Sequence, residues 1–128
     1  MTDYGAGAED RDDSSILIPL HEVRREREHL PVTFHRRELD LILRIYGRMV
    51  ATGEWRDYAI DHLRDRAVFS VFRRTSEVPL FQIVKTPSLQ RKQGAYSVVA
   101  ATGLILKRGH ELARVLTVFD RTLKLVRA

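Results

Sequence analysis

The sequence predicts one small α+β domain, an antiparallel meander of about five strands with an N-terminal and a C-terminal helix packed on one face. Three observations predict it. Two segments repeat apolar residues at the helical period, and the segments between them alternate at the strand period. The connections between those strands are also too short to hold crossover helices, which makes neighbouring strands antiparallel.

The first helix begins after His35. Leu39, Ile42, Leu43, Tyr46, Met49 and Val50 form one apolar stripe. Glu38 stands three residues after His35, where a capping box places its glutamate, and Phe34 and Leu39 occupy hydrophobic-staple positions. Histidine is a weak cap residue, so the surrounding pattern carries the assignment. Gly53 supplies the left-handed stop, which bounds the helix at residues 36–51.

From Trp55 the period falls to two. Residues 58–63 and 67–72 read as a hairpin joined at Arg64-Asp65-Arg66, and residues 80–85 follow a turn at Thr75 to Pro79. Pro87 ends that strand, and residues 86–94 form a polar, basic loop. Residues 96–100 and 104–107 make the last pair. Gly109 is read as a break before a second helix, whose stripe is Leu112, Val115, Leu116, Phe119 and Leu123. Phe69 and Val71 alternate with Val68, Ser70 and Phe72, so both faces of that strand carry apolar side chains. The second face is therefore expected to meet residues 15–31, a twin subunit or another partner.

Residues 1–14 are small, acidic and aperiodic, and read as a disordered tail. Residues 15–31 are a charged segment without a clear period, and residues 32–128 hold the domain. The tail carries five acids against Arg11 within residues 1–13, a net of −4, and the remainder carries +9. Eighteen of the 22 basic residues are arginine, which fits either a polyanion-binding body or an evenly solvated surface. No apolar run approaches the ~20 residues of a membrane helix, no export signal is present, and there is no cysteine. These features predict a cytoplasmic protein without a membrane partner and exclude disulfides, thiolate metal sites and cysteine catalysis.

Two blocks are distinctive: Tyr46-Gly47-Arg48-Met49-Val50-Ala51-Thr52-Gly53-Glu54-Trp55-Arg56-Asp57-Tyr58-Ala59-Ile60-Asp61, and Gln93-Gly94-Ala95-Tyr96-Ser97-Val98-Val99-Ala100 with Gly103-Leu104-Ile105-Leu106-Lys107-Arg108-Gly109-His110. Together they resemble an alphaproteobacterial family of small proteins catalogued as a domain of unknown function, over residues 30–120. The resemblance implies a bacterial cytosolic protein and transfers no activity, ligand or catalytic residue.

No catalytic, cofactor or metal signature is legible. The sequence favours a non-enzymatic interaction module that binds a protein partner, a second copy of itself or nucleic acid through a basic surface. The candidate polyanion-binding residues are Arg73, Arg74, Lys85, Arg91, Lys92, Lys107 and Arg108. If residues 67–73 pair with 80–85, Arg73 and Arg74 lie at one end of the sheet, and Lys85 with the 86–94 loop at the other. Trp55 and Tyr58 are either stacking residues for a partner or plugs closing the core. The alternative is a small enzyme or a ligand- or metal-binding domain. It would use Asp57, Asp61 and His62, near Asp65, and a helix start at residues 107–111 that favours anions. The bland reading of both features is surface ion pairing and helix capping.

Overall fold

The computed structural model describes residues 19–20, 30–74 and 78–120. The chain separates into residues 1–30 and 31–128, and only residues 19, 20 and 30 of the first unit are described. The expectations for the tail, for most of the 15–31 segment and for Leu123 therefore fall outside the described residues.

The second unit opens with helix α1, Arg36–Ala51, at the boundaries its periodicity predicts. His35 caps it despite its low cap propensity. Its Nδ1 accepts from the Glu38 N–H at 3.4 Å, while Glu38 Oε1 accepts from the His35 N–H at 2.8 Å. Phe34 is buried and Leu39 packs on the same core, as a staple requires. Gly53 follows the helix with φ +82.

Five strands follow in one sheet: β1 Asp57–His62, β2 Ala67–Phe72, β3 Phe81–Lys85, β4 Tyr96–Ala100 and β5 Ile105–Gly109. Their spatial order equals their chain order, and every neighbouring pair is antiparallel. β1 lies one residue earlier than alternation predicts, because the Leu63 N–H turns to the Arg66 carbonyl at 2.8 Å and closes the hairpin. β5 runs two residues past its predicted end. Gly109 pairs with Tyr96 as part of the strand and does not break it. A register shift at Val98/Val99 leaves Leu106 as the extra residue of a bulge on this edge strand.

The second helix is shorter than its stripe suggests. Helix α2 covers Leu112–Val115, followed by a turn at residues 116–117 and further helical residues at 118–120. Thr117 Oγ1 donates to the Arg114 carbonyl at 2.6 Å and also accepts from Lys107 Nζ at 3.0 Å. Such a hydroxyl competes with the backbone for its carbonyls and tightens the turn.

One core cluster joins these elements. It takes Ile42 and Met49 from α1, Leu112 and Val115 from α2, Leu116 and Phe119 beyond it, and Ala67, Phe69, Val71, Ile83 and Val98 from the three central strands. Val68, Ser70 and Ser97, at the alternate strand positions, are buried too. Among the described residues, no helix is long and apolar enough to cross a membrane.

Candidate functional site

The β1–β2 pairing brings three arginines together at one end of the sheet. Asp57 lies opposite Phe72, so the residues just outside the ladder, Arg56 and Arg73, become neighbours although 17 positions separate them. The Arg56 N–H donates to the Phe72 carbonyl at 2.8 Å, which holds Arg56 beside the end of β2. Arg74 follows directly. The three arginines line an open concavity of about 620 Å³ with Val50, Gly53 and Trp55. All three are exposed. Among the described residues Arg73 alone of the three has an ion-pair partner, Glu54 at 3.7 Å. The nearby Arg48 is occupied by Asp120 at 2.9 Å.

The concavity borders the C-terminus of α1, whose partial negative charge would by itself repel an anion. Its carbonyls at residues 48–50 are nevertheless covered. Thr52 N–H reaches Arg48, Gly53 N–H reaches Val50, and the Glu54 and Trp55 N–H groups both reach Met49. Beneath them the Trp55 indole is 1% exposed and meets Phe119 edge-on at 5.0 Å. Trp55 is thus a core plug and forms the floor of the concavity, where it offers no face for stacking. Tyr58 stays 42% exposed, but its ring is stacked on Phe69 at 4.8 Å and meets Tyr46 at 4.9 Å.

The remaining sequence-predicted cations do not join this site. Arg91 and Lys92 are exposed at the opposite end of the sheet, in the turns after the short 3-10 helix Pro87–Leu89. Lys107 is tied to Thr117, and Arg108, one residue along the strand, projects to the other face. Arg108 Nη1 is buried without a hydrogen-bond partner. Lys85 departs furthest from the surface role expected of it. Its ammonium is turned inward, 2.8 Å from Glu38 Oε1 and 2.9 Å from the Thr33 carbonyl.

That ion pair belongs to a polar clasp which sequence reasoning met only as half of a capping box. Glu38 is buried, and its second oxygen accepts the Tyr96 hydroxyl while lying 3.3 Å from His35 Nε2. One carboxylate thereby joins the start of α1 to β3 and β4. Burial pushes its pKa up, but hydrogen bonds from Lys85, Tyr96 and the His35 backbone, with the Lys85 charge, outweigh burial and hold it below 4.5. Burial, then the Glu38 hydrogen bond and charge, push the Tyr96 phenol up to about 12. These groups hold each other's polar atoms, so the clasp is structural and has no free acid or base. A depressed carboxylate stabilises the fold above its unfolded pKa, and that contribution is lost as pH falls through its folded value. The phenol's contribution is complete below about 10 and is lost as pH rises through about 12. Urea midpoints are expected to be flat between about pH 6 and 9 and to fall on both sides. In Tyr96→Phe the alkaline fall should shrink.

Asp57, Asp61 and His62, which the enzyme or metal alternative would use together, do not converge on one point. Asp57 and Asp61 sit on one face of β1, roughly 13 Å apart, while His62 takes the opposite face. Asp65 lies in the hairpin turn beside Arg66 at 3.6 Å. Among the described residues no group of three His, Asp or Glu side chains converges on a metal position. The expected helix start at residues 107–111 is also corrected, since Lys107, Arg108 and Gly109 are strand and α2 has only four residues. A concavity of about 460 Å³ does lie there, but its Glu111 and Arg114 pair with each other at 3.0 Å.

No curated protein and no solved structure matches the chain. A family model described as "Protein of unknown function (DUF2794)" matches residues 32–116, which run from the segment before α1 through the sheet and the whole of α2. The matched span contains the three arginines, Glu54 and the Glu38 clasp. The chain belongs to this family.

Proposed function

We propose that this domain is a non-enzymatic, cytosolic binding module that takes an anionic partner at the Arg56–Arg73–Arg74 end of its sheet. The observation that carries the reading is the convergence of three exposed guanidinium groups on one concavity, with a single carboxylate paired against them among the described residues. The buried titratable groups point the same way, because Glu38, Lys85 and Tyr96 satisfy one another and leave nothing poised for proton transfer. Both helices contribute to a core with Phe69, Val71, Ile83 and Val98, which supports their lying on one sheet face, with the arginine end at the margin of that layer.

The test is anisotropy of a fluorescein-labelled single-stranded RNA 12-mer with the full chain. Arg73→Glu/Arg74→Glu should weaken binding at least about tenfold and lower the salt slope by about 2. Binding that survives both charge reversals would overturn the reading. A second reading, self-association, is favoured by the exposed Leu104 just before edge strand β5 and by Ile105 and Leu106 on it. The bulge at Leu106 interrupts that edge and makes strand pairing there the weaker of the two readings.

A further inference from the structure

We infer that the arginine concavity is a phosphate site and that Glu54 is its built-in competitor, a carboxylate that holds Arg73 when no phosphate is bound. The inference rests on the binding-module reading and adds the ligand's chemistry and the residue that tunes access to it.

Charge and geometry both favour phosphate over carboxylate. Among the described residues, the three guanidinium groups and the one carboxylate paired with them, Glu54, sum to a formal charge of +2. Free phosphate or a phosphate monoester carries about −1.5 to −2 at neutral pH, whereas a carboxylate carries a single charge, as does each diester of a nucleic-acid backbone, for which geometry alone makes the distinction. One guanidinium fork satisfies both oxygens of a carboxylate, but a tetrahedral phosphate presents oxygens in several directions and can engage two or three forks together. The open shape suits a phosphate presented on a larger molecule as well as a free one. Of the other acids near this end, Asp120 is held by Arg48, and Asp57 Oδ1 accepts the Tyr58 N–H at 2.9 Å. Among the described residues, Glu54 is the acid paired with one of the three arginines.

Glu54 has the features of a displaceable occupant. Its side chain is a quarter exposed, and its contact to Arg73 is 3.7 Å, longer than the 2.7–2.9 Å of a strong charge-assisted hydrogen bond. Its backbone N–H is fixed to the Met49 carbonyl at 2.9 Å, so the side chain can swing away without disturbing the end of α1. A phosphate arriving at Arg56 and Arg74 therefore competes with Glu54 for Arg73. The bland rival is that the arginines only offset the negative end of α1, and it predicts no phosphate affinity at all.

The full chain is titrated with two probes, inorganic phosphate followed by ¹H–¹⁵N spectra, and the labelled RNA 12-mer, which has no terminal phosphate, followed by anisotropy. Glu54→Gln should bind at least one probe about threefold more tightly than wild type, and the gain should vanish when Arg73→Gln is added. Response to both probes assigns the source to a nucleic-acid backbone, and response to phosphate alone assigns it to a small phosphorylated molecule. Unchanged or weaker binding by Glu54→Gln, while Arg56→Gln/Arg74→Gln still abolishes it, would overturn the competitor and leave the module standing. If neither probe binds wild type, or Arg56→Gln/Arg74→Gln binds as well as wild type, both ideas fall. Unfolding curves for each variant establish that Glu54→Gln remains folded.

Discussion

Glu38→Ala is expected to destabilise the domain by about 3–5 kcal/mol, read from urea unfolding at neutral pH. The carboxylate is buried and satisfies the Lys85 ammonium, the Tyr96 hydroxyl and the His35 N–H together. Its removal strands a largely buried cation and a phenol in a pocket built for an anion. A buried ion pair gives little net stability over an apolar substitute, but deleting one partner leaves the other charge uncompensated. Two milder changes separate the contributions. Glu38→Gln keeps the shape and some of the hydrogen bonds, so it should cost less than the alanine. Tyr96→Phe removes one hydrogen bond to a charged group and should cost about 1.5–3 kcal/mol. A loss below about 1 kcal/mol for Glu38→Ala would mean that the clasp does not anchor α1 to the sheet.

Gly94→Ala should cost about 3 kcal/mol or more, or prevent folding. Two independent reasons combine. Gly94 has φ +102, a backbone region that L side chains rarely adopt, and an added Cβ would lie 2.2 Å from both the carbonyl carbon and the oxygen of Gly109. The obstacle is backbone, so no rotamer change relieves it. The close approach locks the end of the 86–94 loop against the end of β5. Gln90 reinforces the lock, since its side-chain oxygen accepts the Ala95 N–H at 2.9 Å. Gly53→Ala gives a useful contrast. That glycine also has positive φ, but nothing lies within 4 Å of the added carbon, so the loss should be smaller. Equal losses in the two variants would show that conformation alone, and not the contact with Gly109, sets the cost at residue 94.

The sequence made the fold legible wherever local chemistry decides it. The α1 stripe, the Glu38 position and Gly53 bounded one helix correctly, and β2 and β4 fall where alternation places them. Errors occurred where a partner distant in the chain decides the outcome. Gly109 looks like a helix breaker in isolation, yet it is strand because it pairs with Tyr96 and passes against Gly94. The α2 stripe identified core residues, but not the turn that the Thr117 hydroxyl helps to make.

The candidate site was only half legible for the same reason. Arg73 and Arg74 stood out as adjacent charges. Arg56 did not stand out, because the predicted strands 58–63 and 67–72 set residue 58 opposite residue 72, and only the observed pairing of 57 with 72 brings 56 beside 73. Lys85 misled because a lysine at a strand end resembles a surface cation, and only the approach of α1 reveals Glu38 as its partner. Membership of DUF2794 agrees with the resemblance carried by the two distinctive sequence blocks and adds no residue roles.

The central claim is that an anion binds at the margin formed by the end of α1, the start of β1 and the end of β2. Its most direct test follows the arginine Nε–H and backbone amide resonances of the ¹⁵N-labelled full chain during titration with inorganic phosphate at low salt. The account predicts saturable shifts at Arg56, Arg73 and Arg74 and in the amides of residues 53–56 and 72–74. Absence of shifts, or shifts confined to Arg91, Lys92 and Arg108 at the opposite end of the sheet, would contradict it.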